Sequence, residues 1–180
     1  MGVIDDVAPA EDPALTSSTA AQSGNVPLDA AVPNPPSGEP YDWFRRGSEL
    51  LEQGNSAAAA ELLTWAAQAE PQARSIREAL ARAHYDSRRF EDSAREFTSL
   101  VELAPDDDYA HFGLGLSLWR MRQFPDAAEH LAIAAVMRPD REAYGRALRQ
   151  VRATLAAREE AGMAAVGSPD ESAEFPPVPE

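Results

Sequence analysis

The feature that most constrains what this chain can fold into is a period of 34 residues. Pro71, Pro105 and Pro139 stand 34 apart, and the same spacing links Gly47, Ala81 and Gly115. Ala59, Ser93 and Ala127 repeat it, as do Leu63, Phe97 and Leu131, and Ala66, Leu100 and Ala134. So many columns in one register mark an array of three units rather than a single core assembled once. Within each unit apolar and small residues recur at three- and four-residue intervals, the helical period, and nothing alternates as a half-buried strand must. Each unit therefore predicts a helix hairpin. In the third, the first helix runs from about Asp108 to Met121 and the second from about Pro125 to Met137. Pro125 suits a first helical turn, where its missing N–H costs nothing. The small columns have a packing reason. Gly47, Ala81 and Gly115 on the first helices, answered by Ala59, Ser93 and Ala127 on the second, let two axes approach closer than the usual ~8–10 Å.

The register also settles the stretch HFGLGLSLWR, His111 to Arg120, whose glycines and serine look at first like chemistry. A phosphate cradle needs a strand, a loop and a helix start, with further glycines or a lysine. This stretch lies inside a predicted helix, and the chain has no lysine: all 16 basic residues are arginine. A nucleophile elbow needs a glycine two places after the serine, where Trp119 stands. Gly113 and Gly115 are read as packing residues and Ser117 as a helix residue facing another helix. The absence of cysteine removes disulfides, thiolate nucleophiles and cysteine metal sites. Asp106, Asp107 and Asp108 open like a calcium loop but lack its turn glycine and closing glutamate. They read as a cap opposing the helix dipole. His84, His111 and His130 are expected to lie far apart, with no spacing suited to zinc, and His84 and His111 to sit in or near helix–helix contacts. Arg88 and Arg89 fall in the turn of the second hairpin. No catalytic, cofactor or metal residue is assigned, and the chain is expected not to be an enzyme.

At these positions the sequence resembles the tetratricopeptide repeat family, over about residues 40–141. The first repeat carries Trp43, Gly47, Gly54, Ala59, Ala66 and Pro71 at the family's signature places. The second carries Leu80, Ala81, Tyr85, Phe97 and Pro105, and the third Leu114, Gly115, Ala127, Ala134 and Pro139. Arg77 and His111 depart from the aromatic that Trp43 supplies. Arg46 departs from the leucine column, as suits a first repeat with no predecessor to pack on. The resemblance implies an all-α, right-handed superhelix with repeats over about 40–73, 74–107 and 108–141. An array needs a cap over its last apolar face. The segment 140–162 supplies it, with Asp140 as N-cap and a stripe of Tyr144, Leu148, Val151 and Leu155 flanked by Arg141, Arg146, Arg149 and Arg152.

In the resembled family the first helices line the concave face, which implies a groove made of Tyr41, Phe44 and Ser48 from the first repeat and Glu78, Arg82 and Tyr85 from the second. Tyr109, Phe112, Leu116, Trp119 and Arg120 come from the third, with Arg146 and Gln150 from the cap. A surface so rich in rings, flanked by arginine, suits an extended peptide bearing apolar and acidic residues, with the packing of rings such as Trp119 and Tyr85 between neighbouring first helices as the structural alternative. The family's clamp for chaperone C-terminal carboxylates uses lysine, asparagine and arginine at places that here hold Phe44, Ser48, Ala79, Tyr109 and Gly113. That ligand is not expected. The reading is an interaction scaffold for a protein or peptide segment. The alternatives are a structural homo-oligomer and a regulatory accessory subunit of an enzyme.

The net charge of −14 is uneven. Residues 1–39 hold six acids and residues 163–180 four, with no base in either. Both segments are rich in Pro, Ala and Ser and are expected to be disordered. Such acidity disfavours nucleic acid and anionic membranes as partners. No apolar window is long enough to span a bilayer and no secretory signal opens the sequence, so a cytoplasmic location is expected. Arginine without lysine, beside abundant alanine, points to a G/C-rich coding sequence of a bacterial kind. The tail EFPPVPE joins a ring, prolines and acids just beyond an arginine-bearing helix. It is expected to fold back onto Arg146, Arg149 and Arg152, or into the groove, as a tethered competitor.

Overall fold

Every turn of the array is built twice or three times from the same hydrogen bonds. The computed structural model describes residues 35–162, and within them seven helices come one after another: α1 (Pro40–Glu52), α2 (Ser56–Ala69), α3 (Arg74–Asp86), α4 (Phe90–Leu103), α5 (Asp108–Arg120), α6 (Phe124–Met137) and α7 (Glu142–Glu160). Residues 1–34 and 163–180, the bulk of the two acidic segments expected to be disordered, lie outside the described residues. Inside each hairpin the chain reverses on one residue with positive φ: Gly54 at 77°, Arg88 at 63° and Arg122 at 62°. An amide then reaches back to close the turn, Asn55 N–H to Leu50 O, Arg89 to His84 and Gln123 to Leu118, at 2.8, 2.8 and 2.9 Å. Glycine meets the left-handed requirement at no steric cost, whereas Arg88 and Arg122 bear a modest strain there.

Helix starts are written locally. Asp107 caps α5, its carboxylate accepting from the N–H groups of Tyr109 and Ala110 at 3.1 Å each. This is the role expected of the aspartate run. Pro40 stands in the first turn of α1 behind a reciprocal cap between Glu39 and Asp42. Pro125 occupies the first turn of α6. At α7 the expectation fails. Arg141 is the N-cap, with no side-chain hydrogen bond, and Asp140 instead accepts two bonds from the Arg138 guanidinium at 3.1 and 3.0 Å.

The helices pack in order, each against the next, and the first helices also touch the first helices of neighbouring units, α1 with α3, α3 with α5 and α5 with α7. The second helices make no such contact among the described residues. First helices therefore lie on the inside of the curve. The glycines allow first and second helices to approach closely. A Cβ on Gly47 would lie 2.7 Å from Leu63, one on Gly115 2.7 Å from Leu131, and one on Gly113 would enter the Phe97 ring. Leu80 packs with Ala59, Ala60 and Leu63 of the preceding unit, as its column predicts. Ser117 faces Ser93 across the α4–α5 seam, the two hydroxyls 2.9 Å apart and both buried, while the Ser93 hydroxyl lies 3.0 Å from Ala81 O and that of Ser117 2.9 Å from Gly113 O. The cap closes the stack. Tyr144, Ala147 and Val151 are fully buried, with Leu148 and Leu155 half-buried beside them. No helix among the described residues is long and apolar enough to cross a membrane.

Candidate functional site

The inner face is set by one helical stripe. Glu78, Arg82 and Asp86 stand at intervals of four on α3, so their side chains rise from one side of it, toward Tyr109 on α5. Glu78 is half-buried and Asp86 is exposed at the end of the stripe. Burial raises the Glu78 carboxyl above its ordinary range, with help from the Asp107 carboxylate and against the pull of Arg82 and Arg74. Burial likewise raises Asp86, opposed by Arg82. Burial also raises the Tyr109 phenol, which lies within the fields of Arg82, Glu78 and Asp86. Two groups here are buried with no hydrogen-bond partner: the Arg82 Nε–H and the Tyr109 hydroxyl. Asp86, which the 34-residue period does not mark, belongs to this cluster; its place four residues after Arg82 is the signal that finds it.

Around this centre the predicted residues divide. Tyr41 is 71% exposed, Phe44 and Ser48 are half-buried, and Arg146 and Gln150 lie open on α7. Arg120 is half-buried with its guanidinium 4.5 Å from the centre of the Phe90 ring. Four others are core. Phe112 and Leu116 are wholly enclosed, Trp119 is 2% exposed and Tyr85 8%. Phe112 stacks on Tyr144 at 4.3 Å between ring centres, and Tyr85 meets Phe90 edge-on at 5.5 Å. The reason is stacking. Each inner position of a middle first helix is overlain by the next first helix, and Tyr144 of α7, anchored by a 2.8 Å hydrogen bond to Asp108, is what covers Phe112. Burial pushes the Tyr85 hydroxyl up to about 12. What remains on the inner face is a polar, charged strip with aromatic margins at Tyr41, Phe44 and Tyr109.

The structure also corrects the histidine reading. His111 and His130 meet across the third hairpin with their Nδ1 atoms 3.1 Å apart, and His111 Nε2 lies 3.1 Å from Pro105 O. In the second hairpin the same 19-residue spacing pairs Arg77 with Glu96 at 2.5 Å. The two positions face each other in both hairpins, a rule that takes meaning only once the register is known. Among the described residues no group of three or more metal-ligating side chains assembles.

A family model described as tetratricopeptide repeat matches residues 44–108 and again 78–142. The chain belongs to the tetratricopeptide repeat family. Solved structures agree on the fold. The first tetratricopeptide domain of Spaghetti (RPAP3), bound to the HSP90 peptide SRMEEVD, aligns with a TM-score of 0.62 at 17% identity, covering 65% of this chain and 93% of that one. MamA of AMB-1 aligns at 0.60 and 20% identity over 68% and 67% of the two chains. MamA of MSR-1 aligns at 0.62 and 19% over 69% and 71%. No curated protein sequence matches the chain. This tetratricopeptide array is thus a right-handed α-solenoid of the kind that serves as a protein–protein interaction scaffold.

Proposed function

We propose that this tetratricopeptide array is a non-enzymatic module that holds a segment of a partner protein along the inner face of α1, α3 and α5. The observation that carries the reading is the pair of unsatisfied buried groups, Arg82 Nε–H and Tyr109 Oη, beside the half-buried Glu78 and the exposed Asp86. Leaving a buried polar group unpaired costs about 1–3 kcal/mol. A peptide laid across α3 and α5 supplies amides or cationic side chains to Glu78 and Asp86, and its carbonyls reach the Arg82 and Tyr109 donors, closed to solvent in the free chain, once those two side chains turn toward it. The partner segment is therefore polar and of mixed charge, with an apolar residue reaching the margin formed by Phe44 and Tyr41. The groove takes its ligand through this strip rather than through Phe112, Leu116, Trp119 and Tyr85, while Ser48, Arg120, Arg146 and Gln150 extend it at either end.

The related domain that binds an HSP90 peptide supports a peptide ligand in general. This chain has a different chemistry at the places a carboxylate clamp needs. Gly113 cannot carry any longer side chain without displacing the Phe97 ring, and Ser48 and Ala79 bring no cation. Chaperone tails are accordingly outside its ligands.

Peptides selected from a random library against the full chain test the reading. Arg82→Ala and Tyr109→Phe are expected to weaken the selected peptides at least about 10-fold, the loss of one buried hydrogen bond to a charged or polar group, with melting of Tyr109→Phe no lower than that of the native chain. Equal binding by both variants would remove the groove assignment. A concentration-dependent mass on light scattering that Arg82→Ala abolishes would give the face to a second copy of the chain instead.

A further inference from the structure

Among the described residues the array closes on a first helix, α7, with no second helix after it. In each of the three repeats the residue at one column of the first helix, Gly47, Ala81 or Gly115, is small because the second helix comes close to it, and the residue four places earlier, Trp43, Arg77 or His111, lies on the same side. Arg77 and His111 both bond across to that second helix. Continuing the register by 34 puts Arg149 and Gly145 at these columns of α7. No second helix comes after α7 among the described residues. The face that should receive one is open, and it forms a cleft of about 580 Å³ between α7 and the end of α6.

The cleft is basic. Arg138, Arg141, Arg146 and Arg149 line it with Glu142 as the single acid, in a chain whose net charge is −14. Arg138 is engaged with Asp140, and Arg141 lies over the Tyr144 ring at 5.6 Å. Arg146 and Arg149 are exposed and have no ion pair among the described residues. Gly145 forms the floor. The nearest atom to a Cβ there would be Arg149 Nη1, at 3.3 Å, whereas Gly47, Gly113 and Gly115 are each required by a packed side chain of another helix. A glycine inside a helix costs about 1 kcal/mol relative to alanine, and no packed side chain of another helix requires one at this half-exposed position.

We infer that this cleft binds carboxylates, and that its occupant is the chain's own acidic segment, residues 163–180, returning along α7 where the missing second helix would lie. In every hairpin the stretch of chain after the first helix covers this face; here the stretch after α7 carries Asp170, Glu171 and Glu174 and no base. The reach agrees. Arg149 lies thirteen residues before Gly162, a helical rise of about 20 Å, which about six extended residues span. Gly162, with φ 64°, takes the left-handed turn that starts such a reversal. Asp170 and Glu171 then come level with Arg149 and Gly145, and Glu174 with Arg141. Tethering supplies a millimolar effective concentration, enough for exposed Arg–carboxylate pairs that would be weak between separate molecules. Of the arginines expected to take the tail, Arg146 and Arg149 serve, while Arg152 lies outside the cleft. The inference does not rest on the inner-face ligand, with whose groove the cleft shares Arg146.

Because the chain has no cysteine, one nitroxide at Ser172→Cys reports on the segment without other labels. In the full-length protein the amides of Gly145 to Arg149 are expected to lose at least about half their intensity relative to the reduced label. The loss should disappear in Arg146→Glu/Arg149→Glu, in Asp170→Asn/Glu171→Gln/Glu174→Gln, and at about 0.5 M salt, where the Debye length falls to about 4 Å. Bleaching that survives both charge variants, bleaching on α1, α3 and α5 instead, or none on α7 would each overturn the proposal. So would bleaching of an unlabelled isotopic chain mixed with a spin-labelled one, which would mean a second copy supplies the segment. Both variants alter only exposed arginines or residues beyond α7, and unchanged melting confirms that each is folded.

Discussion

α1 and α5 hold the same place in their repeats and share a length of 13 residues, yet α1 buries only Trp43 and Gly47 whereas α5 buries nine residues, including His111, Phe112, Ser117 and Trp119. The difference is one of neighbours. α1 has α2 and α3 beside it, while α5 lies between α3 and α7 and is flanked by α4 and α6. In a stacked array the same column is surface at the end and core in the middle. The inner surface that neighbouring first helices leave uncovered therefore lies at the ends and along the strip that holds Phe44, Arg82 and Tyr109.

The sharpest way to break this comparison is to truncate one phenylalanine from the end helix and one from the middle helix. Phe112→Ala should cost about 3–5 kcal/mol, as for a ring enclosed on all sides. Phe44→Ala, at a half-buried place, should cost less than about half of that in urea unfolding. Equal losses would show that end and middle are alike. Next comes the buried hydroxyl pair. Ser93→Val removes the Ser93 bonds to Ala81 O and to the Ser117 hydroxyl, which keeps only Gly113 O, and should cost about 1–3 kcal/mol, measured by the same unfolding curves. No counterpart exists in the first repeat, where Ala59 stands at that column. Asp107→Ala removes the α5 cap and a 2.6 Å pair with Arg74, for about 1 kcal/mol.

Smaller effects appear on titration. Burial holds His130 below its ordinary range, with the His111 ring adding to this, and burial with Arg89 does the same for His84. Both groups bind protons more readily unfolded than folded, so stability is full above the unfolded value near 6.5 and falls as pH drops through and below it. His130→Leu should flatten part of that fall. Glu78 has the opposite sign: raised by burial, it binds protons more readily when folded, so the fold gains stability as pH falls through its titration. Glu78→Gln should be more stable than the native chain at pH 7 by no more than about 0.5 kcal/mol, a gap that closes toward about pH 4.

Helices, turns and seams were legible because they depend on local chemistry repeated in register. Prolines and the positive-φ column at 54, 88 and 122 set the breaks, and small residues at 47, 81 and 115 set the close approaches. Whatever depends on the neighbour's neighbour stayed concealed. Phe112, Leu116, Trp119 and Tyr85 look like groove residues on their own helices and become core only when the next first helix lies over them. The His111–His130 contact was hidden for a related reason, since nineteen residues is no familiar ligand spacing until the hairpin is drawn. The Asp140 cap misled because Arg138, two residues away, competes for its carboxylate.

Chemical-shift mapping of a library-selected peptide on the isotope-labelled full chain tests the central claim most directly. The account predicts perturbations concentrated at Phe44, Ser48, Glu78, Arg82, Asp86 and Tyr109, on the inner sides of α1, α3 and α5. Perturbations confined to α2, α4 and α6 would contradict it.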